Sequence, residues 1–216
     1  MKSVLISIRP EWIVKILNGE KTIELRKSYP KCELPCKVYI YCTKGKSLYK
    51  SIECNEYFEY YSFEHWSETD TIVNGKVFAE FILNKVTKHE KNYIDVEDNL
   101  CYNFLGEDVK KAGFTFDDKN AVASINALCE FDLFVESYGQ GKPLYAWHIE
   151  DLKIYEKPKE LCDFLTQGYR NYDDWLYGDY NGTQSYNDYL EGWVLRKAPP
   201  SWCYVEELKW ECRLIM

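Results

Sequence analysis

The stretch Gly19-Glu20-Lys21-Thr22-Ile23-Glu24-Leu25-Arg26 gathers a primary amine, a carboxylate and a guanidinium within a few residues of one another. Lys21 could act as a cation for a phosphate or carbonyl, or as a base of lowered pKa if desolvated; a plain exposed turn lysine is the alternative. Glu24 and Arg26 are two apart, so on a strand they share a face and can pair with each other or with a ligand. The planar guanidinium of Arg26 can bond a phosphate or a base edge in two places at once, and an ion pair with Glu24 or Glu80 competes with that use. Thr22 is a hydroxyl that could serve as a nucleophile if Lys21 or Glu80 held its side chain. Glu80 lies between Ala79 and Phe81, so alternation turns it away from apolar neighbours toward solvent or a cleft. Tyr145 and Trp147 alternate with Ala146 and His148, which puts two rings on one face as a base-stacking platform or as core.

These residues must be held by the elements around them. Val4-Leu5-Ile6-Ser7-Ile8 is a β-rich run, and Pro10 then opens a helix carrying Trp12, Ile13, Ile16 and Leu17 at helical spacing, with Gly19 as its stop. The alternation over Thr22 to Arg26 predicts a half-buried strand. Further strands are predicted over Lys37 to Thr43, over Lys76 to Leu83 after the turn signal Asn74-Gly75, and over Leu144 to Ile149, with β character continuing through Asp151 to Tyr155. A helix is expected over Glu130 to Tyr138 and a short helix entry over Lys157 to Leu161; Trp202 to Glu207 reads as a terminal strand. His148, alone on its face, reads as structural.

Composition narrows the function classes. The formal net charge is −8, from 35 acidic against 27 basic residues, which argues against a broad phosphate-tracking surface but allows a local basic pocket. Lys37, Lys44, Lys46 and Lys50 interleave with Tyr39, Tyr41 and Tyr49, the one basic and aromatic mixture on an acidic chain. The nine cysteines form no paired CxxC spacing, so neither a disulfide framework nor a metal site is expected, and no cofactor is implied. No phosphate-binding loop, dinucleotide fingerprint or GxSxG elbow occurs. With no long apolar run and no apolar leader, a cytoplasmic chain without membrane contact is expected. Short strands with few helices favour a small mixed barrel over a doubly wound sheet.

The order of strand, Arg9-Pro10-Glu11, amphipathic helix, Gly19-Glu20-Lys21 and Thr22-Ile23-Glu24-Leu25-Arg26 resembles the opening of ASCH-domain proteins of the PUA-like superfamily. The likeness continues through Val38 to Tyr41, Gly75 to Phe81 and Leu144 to Ile149, in the spacing of larger members carried by bacteria and their prophages. It implies an α+β fold, a PUA-like mixed β-barrel with flanking helices, as one domain over 1–216 with insertions at about 45–73, 91–127 and 168–192. In small members that resemble amidohydrolases of N4-acetylcytidine, a Lys after the glycine turn, a Thr three residues on and a Glu on a later strand carry the reaction. Lys21 and Glu80 match the first and third of these, and Glu24 replaces the Thr, leaving Thr22 as the nearby hydroxyl.

The expected function is a binding module for RNA or a modified nucleoside, in a cleft formed by Lys21, Glu24 and Arg26 with Tyr145 and Trp147 as stacking rings. Two alternatives stand beside it. One is a hydrolase, an amidohydrolase of N4-acylcytidine or a ribonuclease, using Lys21 and Glu80 with Thr22 or a water. The other is an interaction protein of phage origin that meets a protein partner through the Tyr-rich acidic segments at about 55–70 and 168–192.

Overall fold

The first strand is apolar on both faces, and that decides where it sits. In the computed structural model, which describes residues 2–44, 49–50, 58–59, 71–72, 74–94, 100–104, 106–114, 121–178 and 182–208, it lies inside a six-stranded sheet. In chain order the elements begin with β1 (Ser3–Ile8), α1 (Pro10–Leu17), β2 (Ile23–Arg26) and β3 (Cys36–Cys42). Three two-residue strands follow, β4 (Tyr49–Lys50), β5 (Phe58–Glu59) and β6 (Thr71–Ile72). Next come β7 (Val77–Leu83), β8 (Val86–His89), β9 (Lys91–Ile94), β10 (Leu100–Tyr102), α2 (Gly106–Lys111) and α3 (Ala121–Gly139). The chain then forms β11 (Leu144–His148), β12 (Glu150–Lys159), β13 (Phe164–Thr166), α4 (Tyr172–Gly178), α5 (Tyr186–Glu191) and β14 (Trp202–Glu207).

The main sheet has the order β12-β7-β3-β1-β14-β13, with β1 and β3 parallel and its other pairs antiparallel. A second antiparallel sheet has the order β2-β11-β8. Two arms join the sheets: β7 passes into β8 through Asn84 and Lys85, and β11 passes into β12 through Ile149. At the second corner the register shifts between Glu150 and Lys153 and Asp151 adopts φ 49, the bulge geometry that bends a strand out of one sheet into another. The result is a mixed α+β fold with a sheet-rich core. The pairings among the described residues leave the sheets open rather than closing a barrel.

Alternation along β1 divides its residues between two cores. Val4, Ile6 and Ile8 enter a cluster with Ile13, Ile16, Val38, Ile40, Phe78, Phe81 and Trp147, while Leu5 joins Tyr39, Val77, Phe164 and Val205 on the other side. A third cluster packs Ile23, Leu25, Phe131, Val135, Leu144 and Ala146 between the small sheet and α3.

Helix α1 follows the expected pattern. Pro10 stands at its first turn, Glu11 and Lys15 suit its two ends, and Gly19 beyond the cap takes φ +74, which favours glycine. The expectation of a helix entry over Lys157 to Leu161 is corrected. β12 runs on to Lys159, because as the edge strand of its sheet it tolerates Pro158. A single 3-10 turn, Leu161–Asp163, then follows with a reciprocal cap between Glu160 and Asp163. The 168–192 segment holds α4 and α5, joined by Trp175 packed among Tyr172, Tyr186 and Tyr189. The Tyr-rich segment expected at about 55–70 lies, apart from β5, outside the described residues.

Candidate functional site

The turn that ends α1 throws the chain across the top of the helix and into β2. Lys21 forms an isolated antiparallel bridge with Ala112, just beyond α2, and its backbone N–H donates to the Lys15 carbonyl at 3.0 Å. β2 then pairs with β11 at Ile23, Glu24, Leu25 and Arg26, so Ile23 and Leu25 point into the third core and Glu24 and Arg26 to the opposite face.

Lys21, Glu24 and Arg26 are all buried, at 5%, 7% and 8% exposed. The Glu24 carboxylate lies between the two cations, with Lys21 Nζ 3.3 Å from Oε2 and an Arg26 terminal nitrogen 3.0 Å from Oε1. Both cations have further ties. Lys21 donates to the Ala112 carbonyl at 3.1 Å and sits 5.1 Å from the centre of the Trp12 ring. Arg26 donates to the Ser7 carbonyl on β1 at 2.6 Å, a bond from the small sheet to the main one. Among the described residues the Nε–H of Arg26 has no hydrogen-bond partner, which is expensive for a buried donor, about 1–3 kcal/mol.

Burial pushes the Lys21 ammonium below its ordinary 10.5, with Glu24 opposing the shift and Arg26 and Lys15 adding to it. The unfolded chain therefore binds this proton more readily than the folded one at pH values between the lowered pKa and 10.5. Across that window the stability drawn from the site rises with pH. Urea unfolding between neutral pH and pH 10 is expected to show this rise in the parent and a flatter profile in Lys21→Met. Parallel profiles in the two proteins would place Lys21 in solvent.

Lys21 is held from behind by Gly113, whose φ is +86 and where an added Cβ would come within 3.0 Å of the Lys21 Cβ. Any other residue there would be strained and would press on Lys21. Neither Gly113 nor Ala112 was singled out from sequence, although the glycine just past α2 is the ordinary signature of a helix stop.

Glu24 and Arg26 form the floor of a cavity of about 430 Å³ walled by Trp12, Phe134 and Tyr138, with Ser7, Arg9, Thr43 and Ser201 among its remaining lining. Phe134 and Tyr138 stack at 5.6 Å with an interplanar angle of 7°, and Trp12 lies 5.6 Å from Phe134. Burial pushes the Tyr138 phenol up, the Arg26 cation opposing and Glu24 reinforcing that shift. These walls come from α1 and from α3, far from β2 in the chain.

The structure thus brings together Lys21, Glu24 and Arg26 and parts them from the other residues singled out. Lys21 is not among the residues lining the cavity; it stands behind Glu24. Thr22 is exposed and precedes the strand, its backbone taken by Lys111 and Ile149. Glu80 belongs to another group on the main sheet, 3.1 Å from Lys37 Nζ and accepting from the Tyr155 hydroxyl. There burial raises the Glu80 pKa, but the hydrogen bonds from Tyr155 and Lys37 and the charges of Lys37 and Lys159 together outweigh burial and lower it. Lys21 and Glu80 thus sit in separate ion-pair groups, Lys21 with Glu24 and Glu80 with Lys37.

Tyr145 and Trp147, expected as stacking rings or as core, do not line this cavity. Trp147 is 0% exposed, its indole N–H donates to the Ser28 carbonyl at 3.1 Å, and it packs in the first core. Tyr145 is half-buried against Tyr29, with centroids 4.8 Å apart, and does not line the cavity. The face shared by the two residues is turned largely inward because β11 bends over the main sheet.

Among the described residues no group of three or more His, Cys, Asp or Glu side chains could hold a metal ion, and no helix is long and apolar enough to cross a membrane.

No family model matches the chain, and no curated protein does. Among solved structures it is similar to ASCH from Zymomonas mobilis, with 15% identity over 99% of this chain and 94% of that one and a TM-score of 0.47. A single-substitution variant of the same protein matches with 14% identity over 100% of this chain and 97% of that one, at a TM-score of 0.45.

Proposed function

We propose that the chain is an ASCH-type, PUA-like module that binds a base of single-stranded RNA or a modified nucleoside in the cavity over Glu24 and Arg26. The two sheets, joined by their bent arms and by the bond from Arg26 to the Ser7 carbonyl, are then the halves of a PUA-like barrel, and the cavity opens beside that bond. The observation that carries the reading is the buried Glu24 and Arg26 pair on the floor of an aromatic-walled cavity.

The chemistry fits a base edge. A carboxylate accepts from an exocyclic amino group, and a guanidinium donates to a ring nitrogen or carbonyl beside it. Cytosine presents that donor and acceptor side by side. Trp12, Phe134 and Tyr138 offer ring faces for stacking, which is worth about 1–3 kcal/mol per base. The cavity volume lies in the range of small-molecule sites, roughly 300–1,000 Å³. Lys21 acts in this scheme by positioning Glu24, not by touching the ligand.

Calorimetric titration with a panel of nucleosides, cytidine and N4-substituted cytidines included, tests the reading. Binding is expected, with affinity reduced by at least about tenfold in Arg26→Lys, which keeps the charge and loses the planar guanidinium fork. Absence of binding across the panel, or an affinity untouched by Arg26→Lys, would overturn it. Following N4-acetylcytidine for acetate release in the same samples separates binding from hydrolysis.

A further inference from the structure

The loop that carries the chain from β2 to β3 brings two thiols into contact. Cys32 and Cys36 stand on either side of Glu33, Leu34 and Pro35. Cys36 is the first residue of β3, paired with Leu83 on β7, and at 1% exposure it belongs to the first core. Cys32 is half-buried and packs against that same core. The Cys36 thiol is hydrogen-bonded to Cys32, and the Tyr204 phenol lies within electrostatic reach of both sulfurs. Both thiols are free.

The loop is pinned so that this meeting is held by the fold. Ser28 accepts from two indoles, Trp147 at its carbonyl and Trp202 at its hydroxyl, at 3.1 and 3.0 Å. Pro30 is buried, and the backbone of Lys31 bonds the Tyr204 phenol. Glu33, Leu34 and Pro35 are exposed, so the two sulfurs lie on the core side of a loop whose middle faces solvent. Solvent reaches the pair at Cys32. Burial and then the hydrogen bond to Cys32 push the Cys36 thiol up to about 12, so the inner sulfur is held as a thiol, shielded from direct attack. Two touching thiols of unequal exposure are the arrangement of an attacking and a resolving cysteine.

We propose that Cys32 and Cys36 form a reversible dithiol switch, which a low-molecular-weight disulfide oxidises to an internal disulfide. Cys32, as its thiolate, attacks one sulfur of the reagent, whose S–S bond breaks; the first half leaves and takes up the proton that Cys32 gave up. The Cys36 sulfur, giving up its own proton, then attacks the Cys32 sulfur of the mixed disulfide and expels the second half as a thiol. Two protein thiols are oxidised by two electrons, and the reagent is reduced to two thiols that carry both protons. The new bond ties the loop to the first residue of β3, so the connection between β2 and β3 has two covalent states. The switch works whether or not the cavity over Glu24 and Arg26 takes a base.

Trypsin releases both cysteines in one peptide, Cys32 to Lys37, because Lys31 and Lys37 flank them. After the full chain is treated with glutathione disulfide at neutral pH, this peptide is expected to be lighter by two hydrogens, closed to iodoacetamide, and restored by dithiothreitol. Closure should have an equilibrium constant at least about tenfold larger in the folded chain than in urea, because the fold and not the short spacing alone holds the sulfurs together. Cys36→Ser should leave Cys32 as a lasting glutathione adduct, and Cys32→Ser should leave Cys36 unmodified. Phenylarsine oxide gives a measurement that needs no variant: its arsenic bonds two sulfurs while its oxygen leaves as water, and it should bridge the same peptide in the folded parent. A glutathione adduct that persists on Cys32 of the parent overturns the pair and leaves a solitary reactive thiol. Equal closure in urea overturns the part assigned to the fold. A peptide that stays reduced and takes up no arsenic overturns the site.

Discussion

Glu24→Gln is expected to destabilise the folded chain by about 3–5 kcal/mol, read in urea as a lower midpoint at unchanged slope. The side chain keeps its shape, so the loss is electrostatic. Glu24 is the one carboxylate between the Lys21 ammonium and the Arg26 guanidinium, and all three are at least nine-tenths buried. Removing its charge leaves two cations facing each other out of water. The same change at Glu80, whose partner Lys37 is more than a third exposed and whose amide counterpart still accepts from Tyr155, should cost no more than about 1 kcal/mol. If the two substitutions cost the same, Glu24 is solvated and the cluster is not the floor described above.

This asymmetry explains why a buried charge cluster can persist in a fold that an apolar trio would stabilise as well. Buried ion pairs are weak contributors to net stability, because desolvation offsets most of the attraction. Among the described residues the cluster is not fully satisfied, since the Arg26 Nε–H has no partner there. A buried donor left unmet gives up stability, about 1–3 kcal/mol. Lys21 makes the arrangement asymmetric. Its pKa is lowered by burial, so it is the member of the trio that gives up its proton as pH rises.

How far the site could be read from sequence depends on how local its parts are. The period of two over Ile23 to Arg26 placed Glu24 and Arg26 on one face, and β2 has them there. The same rule put Glu80 opposite Ala79 and Phe81, which are fully buried while Glu80 meets Lys37 across the β3 and β7 pair. What alternation cannot say is which of two faces is covered, or by what. Phe134 and Tyr138 reach the cavity from α3, and Ala112 and Gly113 reach Lys21 from beyond α2, inside a stretch read as an insertion. Their juxtaposition with β2 is tertiary and leaves no trace in local spacing. Pro158 illustrates the opposite failure, where a local signal for a helix entry yielded to the free edge of the main sheet.

Trp147 shows the same ambiguity with the largest consequence for packing. Trp147→Ala is expected to destabilise the protein by about 3–5 kcal/mol, the usual cost of emptying a fully buried aromatic site. The ring contacts Trp202 at 5.8 Å and lies in the core that joins β1, β3, β7 and α1, so no neighbour can close the space without moving a sheet. The indole N–H is lost together with the ring, leaving the Ser28 carbonyl to find water. Trp147→Phe separates the two effects, since it keeps most of the ring and drops the donor, and it should cost about 1–3 kcal/mol. A stacking platform would behave the other way, with Trp147→Ala harming ligand binding at little cost to the fold. Tyr145→Ala supplies the reference, because its ring is half-buried against Tyr29 on the same face of β11. Its loss should destabilise less than that of Trp147 and leave nucleoside affinity unchanged, since neither ring lines the cavity over Glu24 and Arg26. Nucleoside binding weakened by Tyr145→Ala in a protein of parental stability would return the stacking face to β11 and remove it from Trp12, Phe134 and Tyr138.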